Sequence, residues 1–333
     1  MAEGAHGDDR RAALICNPIK VDQRSLRATV TRLSARAGWA EPLFFETRID
    51  DLGQEVTRAA LARNVDAVLV AGGDGTVRAV TEALAGTETP LTIIPSGTGN
   101  LLARNLELPL LASERMIQSA FDGDTVAIDV GMAALTRADG NSEEHAFVVM
   151  GGMGLDAAMI ANTNAQLKRA VGWVAYVDGA ARSLPGAKPF RVVYQLVGRR
   201  MHTARVQSVL FANCGALPAG ISLVPQASIT DGTLDVAVIQ PGGWFGWLGV
   251  WRKVWWDNSV LRRFRAGRYV LQRRGRDASV RYLHGAGIDV AADGPRAVQL
   301  DGDEFGKATR VECRVLPGAL VVTVPKGHDT TGL

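Results

Sequence analysis

The segment "DAVLVAGGDGTVRAV", residues 66–80, constrains the fold of this chain more than any other feature. An apolar run of strand type ends in two glycines, and a helical pattern begins at about Thr76, with Val77, Val80 and Leu84 supplying its buried stripe. A glycine turn between a strand and a helix leaves first-turn amides unpaired where the helix dipole favours negative charge. The segment therefore predicts a phosphate-binding turn, with glycine letting the main chain approach the phosphates closely.

A second glycine turn follows in "LTIIPSGTGNLLARN", residues 91–105. It also runs from a strand pattern through glycines into a helical segment. Ligands of open α/β sheets bind outside the carboxyl ends of the strands, so both turns are predicted to line one crevice. Either turn alone is equally well explained as a tight connection. Neither fits G-x-G-x-x-G or G-x-x-x-x-G-K-[ST], so phosphate binding must use another scheme.

The chain has 333 residues, of which 47% are hydrophobic, and its pattern of predicted strands and helices changes near residue 129. Residues 12–129 alternate apolar strands with amphipathic helices, which is typical of a doubly wound parallel α/β domain. Residues 130–325 carry many short strand runs broken by Asp-Gly and Pro-Gly turns, which predicts an antiparallel β-sandwich-like domain with one helix at about 157–182. Residues 1–11 are predicted to be a disordered tail. The prediction leaves open whether the last strand returns to the first domain.

Charge and cysteine content exclude several classes of protein. The three cysteines, Cys16, Cys214 and Cys313, form no C-x-x-C pair and are expected to be reduced core thiols of a cytosolic protein. The N-terminus has no apolar signal region, and no uncharged apolar run approaches the roughly 20 residues of a spanning helix. We therefore expect a protein that is neither secreted nor membrane-spanning. The net charge of +3 is too small to specify a partner.

Five ordered motifs resemble those of the diacylglycerol kinase catalytic family, which includes bacterial lipid kinases and sphingosine kinases. They are "NP" at 17–18, "GGDGT" at 72–76, "PSGTGN" at 95–100, "DGTLDV" at 231–236 and "LDGD" at 300–303. The resemblance spans residues 12 to about 325. It implies a nucleotide-binding α/β domain, then a β-rich domain, with catalysis in the cleft between them. "GGDGT" by itself is less specific, because NAD kinases share it.

The resemblance implies an ATP site at the carboxyl edge of the first sheet. Because Asp74 cannot face a triphosphate without repulsion, it is expected to act through Mg²⁺ or its waters. The implied ATP-binding residues are Asn17, Thr47, the run from Gly72 through Gly73, Asp74, Gly75 and Thr76 to Arg78, then Gly97, Thr98 and Asn100.

The resemblance places the catalytic base at Asp301 of "VQLDGDE". Phosphoryl transfer to an alcohol needs a carboxylate that accepts the hydroxyl proton. Asp-Gly is also a hairpin signal, so a purely structural turn stays open. The family usually reads Asp-Gly-Glu here, and Asp303 is expected to keep the metal-linked role of that glutamate. Two other departures are Leu101, where many bacterial members have aspartate, and Lys20, which either touches phosphate or lies in solvent.

A structural Mg²⁺ site is implied at "SITDGTLDV", residues 228–236. Its ligands would be the Asp231 carboxylate and the backbone carbonyls of Ser228 and Thr233, because oxygen donors from a turn suit a hard cation. The alternatives are Ca²⁺ in the same place and a capped hairpin that binds no metal.

A tryptophan-rich, basic segment follows at residues 244–276. Five of the seven tryptophans lie between 244 and 256, and residues 241–276 contain nine Arg or Lys against one Asp. Trp244, Trp247, Trp251 and Trp255 form one stripe at helical spacing. Three interpretations of this segment are open: docking on an anionic membrane, burial against the β-rich domain, and nucleic-acid binding. Because a lipid kinase must reach a membrane, docking is favoured.

The function that the sequence favours is an ATP- and Mg²⁺-dependent kinase converting diacylglycerol to phosphatidic acid. It would be cytoplasmic, attached peripherally to the inner membrane face, with no nucleic-acid partner and with homodimerisation left open. The alternatives are a kinase for another lipid alcohol, such as a sphingoid base or glycolipid precursor, and a catalytically silent lipid or nucleotide sensor. An NAD kinase is less favoured, because its acceptor would not require the tryptophan-rich segment.

Overall fold

The computed structural model describes residues 10–154, 189–215, 224, 227–240 and 280–333. The chain divides into two compact units: the first unit is Met1–Val130 with Gly318–Leu333, and the second unit is Gly131–Pro317. Three sequence predictions lie wholly or mostly outside the described residues. They concern the tail at 1–11, the helix at 157–182 and the tryptophan-rich segment at 244–276.

Five helices and fourteen strands are assigned in the described residues. The helices are α1 (Gln23–Arg36), α2 (Gln54–Leu61), α3 (Asp74–Leu84), α4 (Leu101–Asn105) and α5 (Ser113–Asp122). The strands are β1 (Ala12–Cys16), β2 (Leu43–Glu46), β3 (Ala67–Gly72), β4 (Leu91–Pro95), β5 (Asp124–Thr136), β6 (Ser142–Phe147), β7 (Met150–Met153), β8 (Phe190–Leu196), β9 (His202–Val206), β10 (Ser208–Ala212), β11 (Leu234–Ile239), β12 (Val280–Gly285), β13 (Gly287–Leu300) and β14 (Asp303–Val324).

The first unit is built on a parallel sheet in the order β2-β1-β3-β4, joined at β4 by the end of β14. Strands β1, β3 and β4 are buried along their whole length, as continuous apolar strands covered on both faces should be. Helices α1 and α5 contact one another, and so do α2 and α3. Alternate residues of β1, such as Leu14, pack with Val30 of α1 and Ile117 of α5. The predicted α/β class of this part is confirmed.

The second unit is antiparallel and β-rich, as predicted. Its main sheet runs β12-β11-β10-β7-β13-β14, with β8 paired to both β13 and β9. Strand β8 alternates buried Phe190, Val192, Tyr194 and Leu196 with more exposed residues, the period-two pattern of a strand with one face in a core. The long strands β5 and β14 each begin in one unit and end in the other.

All three cysteines are free and buried. Burial raises the pKa of the Cys313 thiol well above its ordinary value, and burial is also the largest cause of the raised pKa of Cys16. They pack as small apolar side chains.

Candidate functional site

The first glycine turn joins β3 to α3. Helices α1 and α2 both begin beside a capping carboxylate, since Asp22 accepts from the amide of Arg24 and Asp51 accepts from that of Val56. Helix α3 differs, because its N-cap is Gly73, which makes no side-chain cap. Its first-turn amides are therefore left to other acceptors, at the positive end of the helix dipole. This is the local geometry that anion binding requires.

The second glycine turn, between β4 and α4, is braced by its own side chains. Asn100 adopts a left-handed backbone with φ of 48°, which asparagine tolerates better than most residues. Its Oδ1 accepts from the amide of Gly97 (2.9 Å) and its Nδ2 donates to the carbonyl of Gly97 (2.8 Å). Arg104 Nε donates to the carbonyl of Gly99 (2.7 Å). The turn is thus fixed before any ligand binds.

Asp74 ties the two turns together. Its Oδ2 accepts from the amide of Asn100 (3.1 Å), and its Oδ1 accepts from the amide of Leu101 (2.6 Å). The turns are so close that a Cβ on Gly97 would lie 2.8 Å from the Cα of Gly73, and one on Gly99 would collide with Asp74 Oδ2. Glycine is needed here for the approach of one turn to the other. The prediction that both turns line one place is supported by this contact.

The contact narrows the set of amides that can meet phosphate. Those of Gly97 and Asn100 already donate to side chains within the two turns. The amides of Thr98 and Gly99 have no hydrogen-bond acceptor among the residues that the structure describes. Thr98 is exposed, whereas Thr76 is buried with its side chain under Gly72. A phosphate chain would therefore meet Thr98, Gly99 and the first turn of α3.

Asn17 and Thr47 lie at the same edge of the sheet, just after β1 and β2. The amide of Asn17 donates to the carbonyl of Ala71 (2.9 Å), and the amide of Thr47 donates to that of Cys16 (3.0 Å). Asn17 Oδ1 accepts from Ile19, which shapes the loop after β1. The structure thus gathers the predicted nucleotide-site positions, apart from Arg78, at the carboxyl edge of one parallel sheet. Arg78 departs from the others, since it is buried and paired with Glu82 (3.3 Å).

Two departures from the family pattern have different surroundings. Leu101 is completely buried and contributes its amide, which any residue could supply, to Asp74. Its side chain is part of the apolar interior of the first unit. Lys20 is exposed in the loop after β1.

Asp301 lies in the second unit, in the two-residue hairpin turn between β13 and β14. Leu300 pairs with Asp303 across this turn, and φ is positive at both Asp301 (49°) and Gly302 (88°), as a type I′ hairpin requires. Although turn residues are usually exposed, only 4% of Asp301 is exposed, and its carboxylate points into the protein. Asp301 is therefore both a hairpin-turn residue, as the Asp-Gly pair predicts, and a buried carboxylate.

Three backbone amides converge on the Asp301 carboxylate. Val148 donates to Oδ2 (2.7 Å), while Val149 and Met150 donate to Oδ1 (both 2.9 Å). These donors are the two residues between β6 and β7 and the first residue of β7, and Asn213 Nδ2 in turn donates to the carbonyl of Val148 (3.1 Å). Successive amides of this kind stabilise a negative charge and fix its position.

Sequence reasoning missed several of the groups that shape these sites. Arg104, Asn213 and the amides of residues 148–150 act through or on the main chain, so no motif or charge pattern marks them. Asp303, which the sequence predicts to have a metal-linked role, is half-buried at the first position of β14, and its neighbour Glu304 is exposed.

The turn around Asp231 is an exposed Asx-type turn. Asp231 Oδ1 accepts from both the amide and the hydroxyl of Thr233 (2.8 Å each), and Gly232 has φ of 70°. Ser228 Oγ lies 3.3 Å from Thr230 Oγ1 in the same turn. Burial, together with the charge of Asp231, raises the pKa of nearby Asp235 to about 6, while His284 opposes the shift. In the described part of the chain no group of three or more His, Cys, Asp or Glu could hold a metal, so a cation would depend on hydroxyl and carbonyl oxygens.

Comparison with known proteins places these sites in a family. Residues 11–133 match the diacylglycerol kinase catalytic domain, and residues 148–324 match the YegS C-terminal NAD kinase beta sandwich-like domain. The chain belongs to the diacylglycerol kinase catalytic family. The family resemblance and the two-part fold class predicted from the sequence are both confirmed.

Named relatives agree with this assignment, and solved structures share the fold. The chain is 32% identical over 182 residues to "Diacylglycerol kinase" of Mycobacterium tuberculosis, covering 55% of this chain and 57% of that relative. It is 27% identical to "Probable lipid kinase YegS-like" of Pseudomonas fluorescens, covering 97% of this chain and 98% of that one. The fold resembles a crystal structure of a diacylglycerol kinase from Bacillus anthracis (TM-score 0.66, 20% identity, 96% and 98% covered). It also resembles yeast NADH kinase (TM-score 0.53, 11% identity, 98% and 86% covered).

We expect Asp74→Asn to loosen the second glycine turn. A carboxamide oxygen can replace only one of the two acceptors, and its NH₂ group would face a donor amide. The loss of a satisfied buried donor costs about 1–3 kcal/mol. Hydrogen exchange should therefore accelerate at Asn100 and Leu101, by roughly five- to a hundredfold for that free energy.

Asp50→Asn is the matched control, because Asp50 makes only an exposed ion pair with Arg48 in the same unit. It should leave exchange at Asn100 and Leu101 unchanged. Equal protection of those amides in Asp74→Asn and wild type would show that Asp74 does not hold the turn.

Proposed function

We propose that this protein is a lipid kinase that transfers the γ-phosphoryl group of ATP to the free hydroxyl of diacylglycerol, producing phosphatidic acid. The observation that carries the proposal is the pair of glycine turns locked together by Asp74 beside the uncapped N-terminus of α3. Family membership supplies the class of acceptor, a lipid alcohol. The relatives named diacylglycerol kinase favour diacylglycerol within that class.

The first unit would bind the nucleotide. The amides of Thr98 and Gly99 and the first turn of α3 would take the phosphate oxygens, with the helix dipole adding to the attraction. Asp74 would contact the water shell of a cation, since its carboxylate lies between the two turns where the phosphates would bind. Mg²⁺ bound with ATP would neutralise charge on the phosphates during transfer.

Asp301 would accept the proton. The lipid hydroxyl oxygen attacks the γ-phosphorus, the bond from the γ-phosphorus to the β,γ-bridging oxygen breaks, ADP leaves, and the hydroxyl proton passes to the carboxylate. Phosphoryl transfer passes through a loose transition state, in which the protein does little covalent chemistry. A carboxylate held in a fixed position is therefore more useful than a strongly basic group. Three amides hold Asp301 in that way.

Labelled ATP and a panel of lipid alcohols in mixed micelles test this function. Wild type should phosphorylate diacylglycerol in preference to a sphingoid base, a glycolipid precursor or NAD. Asp301→Asn should lose roughly 10²- to 10⁴-fold in kcat, the usual contribution of general-base catalysis, while retaining ATP binding and the wild-type circular dichroism spectrum.

Asp293→Asn controls for the chemical change, since Asp293 also precedes a glycine on β13 but is exposed and binds Arg296. It should keep the wild-type rate. Transfer to NAD would reassign the enzyme, transfer to another lipid would reassign the acceptor, and ATP binding without transfer would identify a sensor. Wild-type turnover by Asp301→Asn would remove Asp301 from the mechanism.

We also propose a structural Mg²⁺ site at Asp231, supported by the exposed carboxylate of this turn and by the hydroxyls of Ser228 and Thr233 that lie in the same turn. Without nucleotide, Mg²⁺ should raise the thermal midpoint of wild type. At about a hundred times Kd the stabilisation would be about 2.7 kcal/mol, and Asp231→Asn should abolish it. Asp139→Asn, in another Asp-Gly turn where the carboxylate accepts from Asn141, should retain the shift. An equal shift in Asp231→Asn would refute the site, and Ca²⁺ in place of Mg²⁺ identifies the preferred ion.

We further propose that residues 244–276 attach the protein peripherally to the anionic inner face of a membrane. No helix in the described part of the chain is long and apolar enough to span a bilayer. The tryptophan stripe and arginines suit the headgroup region. Co-sedimentation with anionic vesicles should fall when Trp247 and Trp251 are both changed to Ala in a folded protein. Unchanged binding would assign the stripe to the core.

A further inference from the structure

The tip of the β8–β9 hairpin exposes apolar side chains in a fixed turn. Val197 is 69% exposed and Met201 is 65% exposed. Between them the turn is closed by the amide of Arg199, which donates to the carbonyl of Leu196 (2.9 Å), and by Gln195 Nε2, which donates to the carbonyl of Arg199 (2.9 Å). The two apolar side chains are therefore presented by a hydrogen-bonded hairpin.

Few large apolar side chains are exposed among the described residues of the second unit. Among the described residues of that unit, the large apolar side chains exposed to solvent are Val197, Met201 and Tyr282. Tyr282 lines a cavity of about 330 Å³ together with Arg199 from the hairpin tip. Scattered exposed apolar residues need no explanation, whereas a group of them in one place marks a contact surface.

The cavity beside the tip is rich in basic groups. It lies between the hairpin and strands β11 and β12, and Arg281 in its lining donates from Nη1 to the hydroxyl of Tyr194 (3.2 Å). The ring of Tyr194 stacks on His202, with centroids 5.5 Å apart. The lining residues are Leu196, Arg199, His202, Asp235, Arg281, Tyr282, Leu283 and His284. The lining thus brings two guanidinium groups and two imidazoles around one carboxylate.

Nearby acids leave this positive charge largely uncompensated. Within the described residues, no carboxylate lies within ion-pair distance of Arg199, Arg200 or Arg281. On the other side of β8, the carboxylates already form ion pairs with arginines. Those pairs are Asp289 with Arg310, Glu312 with Arg310, and Glu144 with Arg314. The tip thus carries positive charge beside exposed apolar side chains.

We propose that the β8–β9 hairpin tip docks on an anionic phospholipid surface. Val197 and Met201 enter the headgroup region, while Arg199, Arg200 and Arg281 bind lipid phosphates. An anionic bilayer satisfies both the apolar and the basic parts of this surface. Nucleic acid would satisfy only the basic part. The inference deepens the proposed lipid kinase function, on which it rests for the nature of the surface, by adding a contact outside residues 244–276.

Vesicle binding by the full-length protein tests the proposal. Arg199→Gln with Arg200→Gln should lower the partition coefficient on phosphatidylglycerol-containing vesicles by about thirtyfold, since each basic residue at an anionic surface contributes about 1 kcal/mol. Arg191→Gln with Arg205→Gln removes the same charge from the opposite end of the same hairpin, where these two residues pair across the strands. That control should bind like wild type. An equal loss in both pairs, or none in the first, would refute docking by the tip.

A probe at the tip supplies an independent measurement. The native thiols are all buried, so Met201→Cys can be labelled selectively with an environment-sensitive dye. Its emission should shift to the blue with phosphatidylglycerol vesicles and stay unchanged with pure phosphatidylcholine. Thr203→Cys, on exposed β9 beyond the tip, should respond less. No shift at residue 201, or a shift produced by RNA but not by vesicles, would overturn the proposal.

Activity on a short-chain, water-soluble diacylglycerol without vesicles separates this inference from the proposed function. The Arg199→Gln, Arg200→Gln variant should keep wild-type turnover in that assay while losing vesicle binding. Lost turnover on the soluble substrate would give these arginines a task in the reaction and refute their assignment to docking alone. A wild type that binds vesicles but transfers no phosphate would fail the kinase proposal and leave the docking surface standing.

Discussion

The carboxylate of Asp74 makes the contact on which the candidate nucleotide site depends. It accepts the amides of Asn100 and Leu101 and so supplies, from the first turn, the acceptor that the N-cap residue Asn100 does not provide for the start of α4. Because the two turns touch, glycine is required at positions where a Cβ would strike the opposite loop. The amides of Gly97 and Asn100 already donate to side chains within the two turns, whereas those of Thr98 and Gly99 have no acceptor among the described residues. The two turns therefore present a defined set of amide donors. The contact between the two turns therefore depends on an ionisable side chain, while Asn100 and Arg104 brace the second turn itself.

A similar device recurs in the second unit with a different outcome. Asp301 accepts three consecutive amides, and the left-handed turn that it shares with Gly302 returns its side chain into the protein instead of toward solvent. Main-chain donors hold a carboxylate in one position, since they cannot move independently of the fold. The proposed role of Asp301 as a base would use this fixed position.

The departure from the family pattern at residue 101 has a physical explanation in the first unit. The contribution of Leu101 to the turn comes from its amide, which does not depend on the side chain, while the side chain itself packs in the interior. The tie to Asp74 is thus compatible with leucine where many bacterial members have aspartate. At residue 303 the carboxylate is retained on a shorter side chain, half-buried at the first position of β14.

The sequence by itself determined the α/β and β-rich parts of the fold and the two strand–glycine–helix turns, while the roles assigned to the aspartates at 74, 231 and 301 stay predictions. Apolar periodicity and turn chemistry are local properties, so they can be read from neighbouring residues. Only the tertiary structure decided that Asp74 faces the second turn, that residues 148–150 surround Asp301, and that Asn213 and Arg104 brace those loops. These interactions join residues distant in the chain or use main-chain donors that every residue type possesses, so no local pattern records them.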